Sequence, residues 1–163
     1  MKLIREEHDG RKLRPCSSPW LGCSQNVIFR PEVFDVVGKY LRGNGELLPA
    51  DCPGHDLYFF NAKVVDALDE SNSAIKHFKD GCIYFIECHK FKNEVVENLP
   101  IFKIPNCRVS EIFVNGDFVD AWCNSNLTGL DFVLLWDSSL SPISSSIGDR
   151  LTGNLPHRRG KSA

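Results

Sequence analysis

The apolar residues of this chain come in short runs, and that limits what it can build. The longest uninterrupted stretches, Cys82 to Ile86 and Phe132 to Trp136, are five residues each, the length of a strand and far below the roughly 18 that a membrane-spanning helix requires. A helical membrane protein is excluded. The aromatic and β-branched runs Leu57 to Val65 and Cys82 to His89, with the shorter Ile101 to Ile104, Ile112 to Val114 and Leu130 to Trp136, read as strands. In the second run, alternation predicts Cys82, Tyr84, Ile86 and Cys88 on one face and Ile83, Phe85, Glu87 and His89 on the other.

Helical period appears in few places. Between Arg30 and Arg42, Val33, Phe34, Val37, Tyr40 and Leu41 recur at spacings of three and four, with Pro31 suited to the first turn and Gly43 to the C-terminal cap. A second, compact helix is predicted after Asn115, which can cap it, with Phe118, Val119 and Trp122 on one side. Residues 91–98 fit one or two helical turns as well as a loop. Strands following one another with a few helices between them predict an α+β fold, mostly antiparallel sheet with a few short helices packed on it. The ends differ from the body. Residues 1–25 are rich in Pro, Ser, Gly and charge and read as an irregular leader, 26–137 as the α+β domain, and the Ser/Arg-rich 138–163 as a flexible tail.

The net charge of −2 conceals a division. Residues 138–163 hold four bases against one acid, a net of +3, whereas residues 15–137 hold ten bases against seventeen acids, a net of −7. An acidic body repels nucleic acid and attracts basic partners. Residues 109–137 contain Glu111, Asp117, Asp120, Asp131 and Asp137 with no Lys or Arg, and residues 46–70 contain six acids against Lys63. Asp66, Asp69 and Glu70, beside a turn, and Asp117 and Asp120, on the second helix, are therefore the expected partner-binding carboxylates.

Catalytic chemistry has little to work with. His55, His77 and His89 are the histidines of the body, but no spacing joins them to a nucleophile, and Cys88 and His89, adjacent in a strand, point to opposite faces. Seven cysteines, an odd number without C-x2-C knuckles, read as reduced packed thiols and supply neither a zinc site nor a disulfide framework. Arg159 to Ser162 imitates the end of a phosphate-binding loop, yet Leu155 stands where its leading glycine belongs. No catalytic residue, cofactor or metal is expected. The charged N-terminus shows no secretory signal, so a cytoplasmic location is expected, without membrane contact.

The stretch from Asp56 to Asp69, with Ile101 to Pro105, Ile112 to Trp122 and Leu127 to Phe132, resembles the bacterial immunity proteins of polymorphic toxin systems, a family formerly known only as a domain of unknown function. The likeness covers roughly residues 56–136. It implies an α+β domain that binds and neutralises a cognate toxin, and it carries no catalytic residue. With the acidic body, it points to occlusion of a basic, nuclease-like cleft. Three alternatives remain open on sequence: a small enzyme whose His and Asp groups are assembled by the fold, a binding modulator of an unrelated basic protein, and a metal-dependent structural domain.

Overall fold

A computed structural model describes residues 16–19, 26–107 and 111–138. The chain runs β1 (Val27–Phe29), α1 (Glu32–Leu41), β2 (Gly45–Ala50), β3 (Leu57–Ala62), β4 (Ala74–His77), β5 (Ile83–Cys88), α2 (Asn93–Val96), β6 (Ile101–Phe102), β7 (Phe113–Val114) and α3 (Gly116–Cys123). Every named strand pairing is antiparallel, in three small sheets: β1-β3-β2, β4-β5 and β6-β7. The fold is α+β.

In β3 successive side chains must face opposite ways, and both faces are covered. Phe60 and Ala62 enter one core cluster, while Leu57 and Phe59 join Ile28 in a smaller one. α1 closes the first cluster with Val33, Val37 and Leu41, three buried residues at spacings of four. Gly43, at φ +79°, then turns the chain in the left-handed region. α3 brings Phe118 and Trp122 against Phe29 and Phe60, so aromatic rings fill most of this core. Burying each such ring contributes on the order of 2 kcal/mol.

A second cluster forms from Ala67, Leu68, Ile83, Ile86, Phe102, Ile104 and Phe113 beneath the two remaining sheets. Lys103 joins the two halves of the fold. Its N–H donates to Lys63 O at 2.8 Å, and its carbonyl accepts from Val65 N at 2.8 Å, tying the segment after β6 to the chain that leaves β3.

Two expectations are corrected. Along β5 the simple alternation fails. Ile75 pairs with Ile86, Lys76 with Phe85 and His77 with Ile83, so Tyr84 is an extra residue that shifts the register. Ile83 and Ile86 are buried, while Tyr84 is 58% and Phe85 47% exposed. Residues 130–136 form no strand. A strand needs a neighbour to share its backbone hydrogen bonds, and this segment is held by side chains instead. Phe132 lies against Phe118 and Trp122, both at 6.3 Å, and Trp136 against Phe91 at 5.6 Å, so the segment straps the first cluster to the second.

Residues 16–19, within the predicted leader, are docked rather than loose. Ser18 N donates to Thr128 O at 2.9 Å, Thr128 N to Ser17 Oγ at 3.3 Å, and Arg30 Nε to Cys16 O at 2.9 Å. Residues 139–163, nearly all of the predicted tail, lie outside the described residues.

Candidate functional site

The five predicted carboxylates fall into two groups. Ala67 and Leu68 are buried anchors of the second cluster, and between them and β4 the chain turns, placing Asp66, Asp69 and Glu70 together at the surface. Asp66 pairs with Lys92, Oδ2 to Nζ 2.9 Å, which offsets part of its charge. Asp69 organises the turn: it accepts from Ser71 Oγ at 2.6 Å and from Asn72 at 3.2 Å (N) and 2.7 Å (Nδ2). The hydroxyl of Ser71 and the amide of Asn72 hold its pKa below the ordinary carboxylate value. Glu70 is exposed.

Asp117 and Asp120 sit on α3, three residues apart and so on one face, both exposed. The helix that carries them is well fixed. Asn115 Oδ1 accepts from Phe118 N at 3.0 Å as an N-terminal cap, and Phe118 and Trp122 bury the opposite side in the first cluster. Asp117 in the first turn also complements the helix dipole. The fold thus brings each set together locally and mounts the two sets on different cores.

The histidines of the body do not converge on a reaction centre. His55 lies in the loop before β3, His77 is exposed at the end of β4, and His89 is buried at 7% exposure between Phe91 and Phe113, with ring centroids 6.0 and 5.7 Å away. Among the described residues His89 Nε2 has no hydrogen-bond partner, and the Glu111 Oε2 carboxylate oxygen at 3.8 Å is beyond reach. Burial lowers the His89 pKa and keeps the ring neutral. Lys103 is buried too. Its Nζ donates to Asn26 Oδ1 at 3.0 Å and Asn61 Oδ1 at 3.2 Å, amide acceptors rather than a carboxylate, and burial lowers its pKa. Among the described residues, no group of three or more His, Cys, Asp or Glu is placed to hold a metal ion. Cys16, Cys52, Cys82, Cys88, Cys107 and Cys123 are free thiols; Cys23 lies outside the described residues. Nor is any described helix long and apolar enough to cross a membrane.

Sequence reasoning missed two exposed apolar features. The first is the β4-β5 hairpin, where Phe78 and Tyr84 meet edge to face at 4.9 Å beside the exposed Phe85. Its loop was signalled by Asp80-Gly81: Gly81 adopts φ +84°, Gly81 N donates to Phe78 O at 3.0 Å, and Phe78 N donates to Cys82 O at 2.8 Å. The second is the outward side of the strap, where Val133 and Leu134 are each 69% exposed and Leu135 36%. The pattern of residues 130–136 marked them as a strand but could not show which side chains would lack cover.

No curated protein matches this chain. The profile of the immunity protein family (Imm11) matches residues 48–135, more than half of the 163 residues, and spans both carboxylate sets, the hairpin and the strap as far as Leu135. With a two-core α+β domain, solvent-facing carboxylates and the family match over most of that domain, the chain belongs to the immunity protein family Imm11.

Proposed function

We propose that this protein binds a cognate bacterial toxin in the cytoplasm and neutralises it without catalysis, its acidic surface covering a basic, nuclease-like cleft. The observation that carries the reading is the C-terminal part of the domain, residues 109–137, where five carboxylates stand without a single Lys or Arg. Four of them, Glu111, Asp117, Asp120 and Asp131, are exposed. Exposed charge of one sign attracts a basic partner at long range and speeds its capture. On α3 the backbone that carries the carboxylates is held in place, so it loses little freedom when a partner arrives. Asp66, Asp69 and Glu70 contribute less to this field, since Lys92 partly neutralises their group.

The test is association kinetics and growth rescue with the product of the open reading frame immediately upstream of this gene. Reversing Asp117 and Asp120 to Lys is expected to slow association about tenfold at low salt and far less at high salt, while dissociation changes little. Reversal of Asp66, Asp69 and Glu70 is expected to have a smaller effect in the same direction. Association unaffected by salt and by both reversals refutes electrostatic capture; turnover of a substrate by the isolated protein refutes the inhibitor reading.

A further inference from the structure

The strap supplies what a sheet edge supplies. From Leu130 to Asp137 the chain runs without a turn or bend, and among the described residues the backbone of 131–136 makes no backbone hydrogen bond. The aromatic and aliphatic runs in β3 and β5 lie in ladders; this one does not. Its position is nonetheless fixed at both ends by Phe132 on the first cluster and Trp136 on the second. A straight, anchored segment whose N–H and C=O groups have no backbone partner among the described residues is a template for strand addition, and its preformed geometry lowers the ordering cost of pairing.

Resting on the toxin-binding reading above, we propose that residues 131–135 are the docking strand of this protein, and that they pair with an extended segment of the toxin that is apolar at its centre and basic at its flanks. Val133, Leu134 and Leu135 give the apolar centre, exposed as three consecutive side chains that would alternate across a completed strand. The acidic character comes from the exposed Asp131 and from the absence of any base between residues 109 and 137. The same charges disfavour a second copy as the occupant. In-register parallel pairing of two copies stacks identical Asp131 carboxylates, and like charges facing each other across a ladder are destabilising.

Strand pairing leaves a signature that side-chain docking does not. Alternate residues direct their N–H groups to the same edge, so proline at 133 or 135 removes a donor from one edge and proline at 134 from the other. The variants Val133→Pro, Leu134→Pro and Leu135→Pro are measured for affinity to the product of the open reading frame immediately upstream and for thermal midpoint, and the unmodified protein for amide exchange, free and bound. Either the 133 and 135 variants or the 134 variant is expected to lose affinity by about tenfold or more while the other parity keeps most of it. Unfolding midpoints should change little, because no backbone hydrogen bond among the described residues is lost in the free protein. Amides of 132–135 should exchange rapidly in the free chain and be protected in the complex. Equal loss for all three variants, no loss for any, or amides unprotected in the complex overturns the inference while leaving toxin binding intact. Concentration-dependent protection without toxin, with dimers by light scattering, assigns the strand to a second copy and overturns it. Failure of the unmodified protein to bind the toxin overturns the functional reading itself.

Discussion

Replacing Gly129 by Ala tests whether residues 16–19 are part of the folded body. Gly129 has φ +101°, and a Cβ there would stand 2.1 Å from the carbonyl oxygen of Ser18 and 2.9 Å from its carbon. Gly43 is the control, since its φ of +79° imposes a similar conformational demand but nothing lies within 4 Å of the added carbon. Both alanines incur the left-handed penalty of about 1–2 kcal/mol. Only Gly129→Ala also requires the Ser18 backbone to retreat by about 1 Å to relieve overlap. That retreat breaks the Ser18 N to Thr128 O bond at 2.9 Å and weakens the reciprocal contacts between Ser17 and Thr128 at 3.4 and 3.3 Å. At roughly 0.5–1.5 kcal/mol for each bond, the total for Gly129→Ala is about 3–5 kcal/mol, against about 1–2 for Gly43→Ala. With roughly 4 °C per kcal/mol for a domain of this size, thermal unfolding followed by circular dichroism should show losses of about 12–20 °C and 4–8 °C. Midpoints within 2 °C of each other would refute the docking of residues 16–19 against Thr128 and Gly129.

Two further outcomes are expected. Because burial sets the His89 pKa below 6.5 in the folded chain, the unfolded chain binds more protons between those two values. Stability should therefore be full above pH 6.5, fall as pH drops through that window and level off below the folded value; the slope in urea midpoints between pH 5 and 8 should diminish in His89→Leu. Asn115→Ala, which removes the cap on Phe118 N, should cost about 1 kcal/mol, read as a fall of about 4 °C in the thermal midpoint, whereas Asn115→Asp, which keeps an acceptor, should stay near the parent.

What could be read in advance was what local chemistry decides. α1 announced itself through the spacing of Val33, Val37 and Leu41, and α3 through Asn115 and the Phe118–Trp122 face, because capping and period act within a few residues. β2 was hidden by Pro49, which reads as a loop signal but is tolerated here because β2 lies at the edge of the β1-β3-β2 sheet. The four residues of β4 carry almost no pattern and become a strand through the tight turn that folds them onto β5. The exposed positions of the acidic residues were legible, since unpaired carboxylates belong at the surface. The burial of His89 and the bulge at Tyr84 depend on contacts between distant segments, which no local pattern encodes. So does the fate of residues 130–136, whose strand-forming composition found anchors for its side chains but no described neighbour for its backbone.

The place of the strap in the chain has a consequence for biosynthesis. Every residue of the three buried clusters lies between Ile28 and Trp122, so all of it has been made before the ribosome adds Leu130. Cores of this kind can begin to collapse during translation, at about 5–20 residues per second. A second link between the two halves, beyond the one at Lys103, is then made after both exist, once Trp136 has cleared the exit tunnel and reached Phe91. Nascent chains stalled short of that point hold cores joined only through the Lys103 segment, and those stalled beyond it hold cores strapped a second time. The strap is thus the last of these tethers to form, and the buried clusters it crosses are complete in sequence before it is made.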